Sequence, residues 1–250
     1  MIQQSDNNVI DQLAAFQSSF PKKRPFITLS FAQSLDGCIS ANIGERLTIS
    51  GQESLVLTHQ LRAIHQGLLV GISTVLVDNP LLTVRYASGN NPKPIVLDSS
   101  LRFPADARML ASKSHKPIIA TGTRIDETKA KNLRSQGLKI VPLKLSQQSL
   151  VPIPDLLDHL FQQGITSIMV EGGSKVISSF LALGLCDYMV VTVSPMIIGN
   201  PKSVRYGLRA SDKVPYLGSL KSLKMGNDLV LWGQPKWKTL EQDHVQGYPQ

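Results

Sequence analysis

Three stretches of this 250-residue chain carry side chains suited to holding phosphate and moving a proton. The sharpest is SIMVEGGS, residues 167 to 174, an apolar run of strand length that ends in Glu171 and two glycines before a predicted helix. Glycines let an anion approach the backbone, and the first-turn amides and dipole of the following helix supply positive potential where a pyrophosphate would lie. The stretch is not a GxGxxG fingerprint, so taken alone it reads equally as a tight turn. A second strand end carries Thr74 and Asp78, and a third carries Asp98 and Ser99. Their hydroxyls and carboxylates could bind ribose and phosphate oxygens, although helix capping is the better single reading for Thr74 and Ser99. Arg62 and Arg85 offer guanidinium forks that match a sugar phosphate, with a surface ion pair as the alternative for each.

The elements that must position these groups follow from periodicity. PFITLSFA, starting at Pro25, is a β-branched and aromatic strand, and Asp36-Gly37 marks the turn after it, with Asp36 expected to fix that loop. Ser50 is the expected N-cap of a helix from Gln52 to about His65, with Glu53 completing a capping box and Gly67 stopping the helix. GLLVGI then reads as a buried strand, followed by a short turn or helix from Ser73 to Asp78. Further strands are predicted at Lys93–Leu97, Pro117–Thr121, Lys139–Pro142, Ser167–Glu171, Tyr188–Val193 and Asp228–Trp232, with helices over Glu127–Gln136, Ile153–Gln163 and Ser174–Leu183. Strands alternating with helices imply an α/β fold with a largely parallel sheet covered on both faces. No crossover helix separates the last two strands, which predicts an antiparallel edge. Residues 1–24, with one amphipathic stretch from Val9 to Phe20, read as an N-terminal extension docked on or trailing from the domain, 25–235 as the domain, and 236–250 as a tail.

Composition narrows the classes of function. With 42% hydrophobic and 18% charged residues the chain is globular, long enough for one domain of upper-range size. No apolar run approaches the roughly 18 residues that span a bilayer, and the opening MIQQSDNNVI lacks a secretory layout, so a cytoplasmic, membrane-free protein is expected. The two cysteines, Cys38 and Cys186, form no CxxC pair, and the five histidines include neither HExxH nor the zinc-deaminase signature, so no metal is expected. A net charge of +8 comes from dispersed lysines and arginines, which favours a solvated surface or a small phosphorylated ligand over nucleic acid.

The combination of PFITLSFAQSLDG (25–37), LRAIHQGLLVGISTVLVDNPLLTVR (61–85), PIVLDSSLRFPADARML (94–110) and SIMVEGGSKVISSFLALGLCDYMVVTVSPMIIG (167–199), in this order, resembles the riboflavin-biosynthesis reductases. These are the reductase half of the bacterial deaminase-reductase and the stand-alone archaeal type. The resemblance implies a dihydrofolate-reductase-like three-layer fold, commonly a homodimer. The enzyme it implies moves hydride from NADPH to a ribosylamino-pyrimidine 5′-phosphate and gives the ribitylamino product. By that likeness the cofactor contacts Ala32, Thr48, Thr74, Asp78, Ser99 and the glycine turn with its helix start, Gly172, Gly173, Ser174, Lys175, Val176 and Ile177, running on to Ser179. The substrate lies against Ser30, Arg46, Arg62, Leu82, Arg85 and Glu171. Asp78 and Glu171 are the carboxylates expected at the reaction centre, either orienting ribose hydroxyls or relaying the proton. Ser30 stands where the bacterial enzymes usually carry lysine and the archaeal ones asparagine. Arg46 and Thr48 replace the serine and tryptophan usual in the bifunctional enzymes. Without a zinc motif, deamination is not expected of this chain. Two other readings stay open: a paralogue that reduces another imine or a pterin-like compound, and a non-catalytic nucleotide- or RNA-binding module.

Overall fold

The computed structural model describes residues 8–21, 23–40, 47–111, 115–199, 203–204 and 213–239. Its strands are β1 (Phe26–Ser34), β2 (Gly67–Gly71), β3 (Lys93–Leu97), β4 (Ile118–Gly122), β5 (Lys139–Leu143), β6 (Ser167–Gly172), β7 (Tyr188–Ser194), β8 (Lys213–Met225) and β9 (Asp228–Thr239). The helices are α1 (Val9–Ser19), α2 (Gln52–Ala63), α3 (Ile72–Asp78), α4 (Glu127–Ser135), α5 (Ile153–Gln162) and α6 (Ser174–Ala182). They pack on one nine-stranded sheet of order β5-β4-β3-β2-β6-β1-β7-β9-β8. From β5 to β7 every neighbouring pair is parallel, and β9 runs antiparallel to both β7 and β8.

Alternation along the strands sorts the core onto two faces. Phe26, Leu68, Val70, Val96, Ile119 and Met169 pack with Leu13 of α1, Leu57 and Leu61 of α2, and Leu133 of α4. Ile27, Leu29, Leu69, Ile95, Ile168 and Val170 pack with Leu156 and Leu160 of α5 and Phe180 of α6. A period of two therefore buries both faces of the central strands, as expected of a parallel sheet covered by helices. Each enclosed aliphatic side chain contributes about 1.5–3 kcal/mol.

Three details depart from the sequence reading, and one that it left open is decided. The capping box at α2 does not form: the N-cap is Gly51, whose N–H is taken by Asp228 Oδ2 at 2.7 Å, while Glu53 lies against Gly226. A buried carboxylate from β9 has replaced the local cap. Helix α1 of the N-terminal extension is docked rather than trailing, since Leu13 is fully buried and Gln12 accepts a 3.0 Å hydrogen bond from the Trp232 indole. β9 runs through Thr239, past the boundary expected at 235; residues 240–250 lie outside the described residues. Strand β8 was not predicted; it joins β9 through Gly226-Asn227, with Gly226 at φ +60 in the first turn position, as a II′-type hairpin requires.

Candidate active site at the strand tips

Most of the predicted site residues lie at or just beyond the carboxyl ends of β1, β2, β3 and β6, where open α/β sheets place their ligands. Glu171 owes its orientation to an irregularity in the ladder. Leu69 pairs with Val170, but Val70 pairs with Gly172, so Glu171 is the extra residue of a bulge against β2. Its side chain meets Arg62 of α2 in a two-pronged ion pair, Nε to Oε1 at 2.6 Å and Nη2 to Oε2 at 2.7 Å. The side chains are only 11% and 15% exposed, which takes the pair out of the weak surface class. The third prong, Nη1, donates to the carbonyl of Thr83 at 3.0 Å. Burial works to lower the Arg62 pKa, but the charge and hydrogen bonds of Glu171 outweigh it and raise the value. Ser30, buried on β1, follows the Leu29–Val170 pair just as Glu171 does, so the two are neighbours across adjacent strands.

Arg85 is exposed; its Nη1 donates to Thr83 Oγ1 at 3.0 Å, and its guanidinium lies 5.7 Å from the Tyr86 ring centre. Its backbone N–H donates to Nδ1 of His59 at 2.9 Å. Burial first, then the positive charges of Arg62 and Arg85, push the His59 pKa down from 6.5 to about 4. The ring is therefore neutral near pH 7, with its proton on Nε2 because Nδ1 is the acceptor. A second enclosed histidine, His65, bridges the Leu61 carbonyl (2.6 Å) and the Thr28 hydroxyl (2.8 Å).

The glycine turn forms the other half. Gly172 has φ +139, a conformation that favours glycine, and a cis peptide joins it to Gly173. A Cβ on Gly173 would lie 3.7 Å from Thr74 Oγ1, so the turn faces the Thr74 hydroxyl directly, while a Cβ on Gly71 would meet Val176 at 2.9 Å. Helix α6 has no side-chain cap. Gly173 O accepts from Val176 and Ile177, leaving the Ser174 and Lys175 amides as the first-turn donors outside the helix ladder. Asp78 ends α3, half-buried, and the Ser99 carbonyl accepts from Gly122 at 3.0 Å, tying the tips of β3 and β4.

Several predicted residues contribute differently. The Leu82 side chain is 2% exposed and sits in the core, at φ +53, so only its backbone can face a ligand. The Ile177 side chain is fully buried, and the Val176 and Ile177 amides are committed to the helix. Thr48 is exposed on the connection into α2, and Arg46 lies outside the described residues. Asp36 does fix its loop: it accepts from the Ser34 hydroxyl and from the Gly199 (2.7 Å) and Ile198 (3.2 Å) amides. These bonds, led by that of Ser34, lower its pKa from 3.8 to about 2. His59 and Thr83 were not singled out from the sequence. The available signal for His59 was its place one turn before Arg62 on the same helix.

A parallel sheet with helices on both faces, whose tips carry a glycine turn, uncapped helix amides and a carboxylate–guanidinium clamp, defines an α/β protein with anion-suited donors at its strand tips. Its family is set by comparison: residues 25–231 match the model of the RibD C-terminal domain, and the chain belongs to that family. It is 32% identical over 219 residues to the riboflavin biosynthesis protein RibD of Aquifex aeolicus, covering 87% of this chain and 60% of that protein. It is 35% identical to the 2,5-diamino-6-ribosylamino-4(3H)-pyrimidinone 5′-phosphate reductase of Debaryomyces hansenii, covering 71% of this chain and 77% of the relative. Among solved structures, Acinetobacter baumannii RibD superposes with TM-score 0.71 at 26% identity, covering 85% of this chain and 58% of that one. The Saccharomyces cerevisiae riboflavin biosynthesis reductase Rib7 gives TM-score 0.70 at 26% identity, covering 90% of this chain and all of the other. The chain thus spans under two thirds of these two RibD proteins, whereas the match with Rib7 takes in all of Rib7. No helix among the described residues is long and apolar enough to cross a membrane.

Proposed function

We propose that the protein is an NADPH-dependent reductase of riboflavin biosynthesis, converting the ribosyl group of an amino-ribosylamino-pyrimidine 5′-phosphate to ribityl. The observation that carries this reading is the buried Glu171–Arg62–Thr83 clamp beside a glycine turn that faces Thr74. Two observations support a phosphate subsite at the glycine turn: Gly173 leaves room for an oxygen next to Thr74, and the Ser174 and Lys175 amides can donate to it. Thr74, Asp78, Ser99, Ala32 and the Gly172–Lys175 turn would hold the cofactor. When bound, it supplies hydride, which C1′ of the ring-opened imine accepts while the nitrogen takes a proton, yielding the secondary amine.

Glu171 offers its remaining lone pairs as acceptors, because both of its oxygens already receive bonds from Arg62. That suits fixing a ribose hydroxyl better than donating a proton. Asp78 is then the carboxylate left to relay the proton. Arg62 spends at least three of its five N–H groups on Glu171 and Thr83, so the exposed Arg85 is the stronger candidate for the 5′-phosphate. The exposed Tyr216, Leu220 and Leu223 on the edge strand β8 support a working homodimer, which sedimentation would test.

The test is NADPH oxidation by purified protein with the amino and the deaminated pyrimidine phosphates. Turnover of one supports the proposal. Tight NADPH binding with no turnover of either would support a reductase of another imine or a pterin-like compound, and salt-sensitive RNA binding without NADPH affinity would support a non-catalytic module.

A further inference from the structure

Helix α2 grips the loop from Leu82 to Tyr86 at two backbone atoms. Arg62 Nη1 holds the Thr83 carbonyl at 3.0 Å, and His59, one turn earlier, accepts the Arg85 N–H at 2.9 Å. Between them the Val84 N–H is held by Asn91 Oδ1 at 2.7 Å. Three consecutive residues are therefore pinned through their main chain, and the Arg85 side chain departs from a fixed Cα. That side chain is steered further by Thr83 Oγ1 and the Tyr86 ring, which itself stands edge-on to His59 with ring centres 4.8 Å apart. His59 is fully enclosed, so no solvent competes for Nδ1.

We propose that His59 is a positioning residue that sets Arg85 to receive the 5′-phosphate and thereby selects phosphorylated over dephosphorylated pyrimidines. This rests on the reading of Arg85 as the phosphate arm. Only a neutral ring can accept the amide proton. Burial and the charges of Arg62 and Arg85 keep it neutral, since its pKa is pushed down to about 4. An imidazolium would set one N–H against another and release the loop.

Two substitutions of equal polarity separate this role from simple packing. In His59→Asn the amide oxygen falls near the Nδ1 position and keeps the acceptor, whereas in His59→Gln it reaches toward Nε2 and leaves the Arg85 N–H unpaired. His59→Leu removes the acceptor at similar volume. For Gln and Leu, KM for the phosphorylated substrate should rise about tenfold, the effect of one buried hydrogen bond, with kcat held within about threefold. Asn should restore KM to within about threefold. With the dephosphorylated substrate, kcat/KM should not distinguish the variants from the parent. Ribose 5-phosphate, titrated against each protein, should show the same order of affinity independently of turnover.

An unchanged KM in His59→Gln, a loss in His59→Asn as large as in His59→Gln, or an equal loss on both substrates would overturn the inference while leaving the reductase standing. A parent protein without turnover, whose ribose 5-phosphate affinity still follows this order, would overturn the reductase and support the positioning role. If ribose 5-phosphate affinity does not depend on residue 59, the positioning role is refuted in either case.

Discussion

Replacing Glu171 by Gln keeps the shape of the bulged side chain but removes the charge that balances Arg62. The guanidinium would remain buried, 11% exposed, with one prong facing an amide NH₂ instead of a carboxylate oxygen. Breaking a fully buried ion pair by removing one partner costs about 3–5 kcal/mol, and charge-assisted bonds of this kind are worth about 1.5–3 kcal/mol each. Gln retains one acceptor, so about 2–4 kcal/mol is expected. For a chain of this length that is roughly 4–16 °C in Tm, at about 2–4 °C per kcal/mol. Loss of the fork also loosens the Thr83 carbonyl and takes the negative acceptor from the ribose, so kcat should fall at least about tenfold. Thermal unfolding and NADPH-oxidation kinetics read the two effects separately. The double substitution Arg62→Leu with Glu171→Leu should be less destabilised than either single change, because no charge is then left buried. Unchanged turnover in Glu171→Gln would remove Glu171 from the reaction. An unchanged Tm with additive double-variant effects would refute the buried pair as a structural clamp.

Gly173→Ala should fold normally, because φ is −74 and the added Cβ meets Thr74 Oγ1 at an ordinary 3.7 Å; KM for NADPH should nevertheless rise about tenfold as the methyl fills the phosphate approach, and an unchanged KM would move the cofactor elsewhere. Stability should fall with acid. Burial depresses the pKa of His65 from 6.5 to about 4, against smaller raising effects from the Leu61 carbonyl and Glu171. The unfolded chain therefore binds a proton that the folded chain refuses. Stability is full above pH 6.5 and declines toward pH 4 by about 3 kcal/mol for this group, readable as urea midpoints across that window; a flat profile would contradict it. Leu13→Ala, at a site with 0% exposure, should cost about 2–5 kcal/mol by calorimetry or denaturant, whereas a cost under about 0.5 kcal/mol would show that α1 is a dispensable appendage.

The central sheet was legible because each strand announces itself by β-branched residues and each helix by a buried stripe. Every strand and α-helix boundary from β2 to β7 falls within two residues of its reading, whereas the short 3-10 turn Arg108–Ala111 was not predicted. Strand β8 was missed for a physical reason. Its mostly exposed residues show no sustained apolar alternation, and the one usable signal was the Gly226-Asn227 turn ahead of DLVLW. The capping box failed because Asp228, 177 residues away, supplies the cap, and local propensity cannot see such a partner. At the site, residue types were readable but pairings were not. Glu171 and Arg62 were each singled out, yet their union across 109 positions depends on a bulge that no local pattern encodes. The resemblance placed Leu82 against the substrate; its left-handed backbone turns the side chain into the core, which no local pattern announces and which leaves that contact to its main chain.

The most direct measurement uses NADPH carrying deuterium at the transferred position, incubated with the ribosylamino-pyrimidine 5′-phosphate, with mass spectrometry and NMR of the product. A cleft that carries out the proposed reduction yields one deuterium on C1′ of a ribityl chain for each NADPH consumed. An unlabelled ribosyl compound recovered in full from protein that binds both ligands would contradict it.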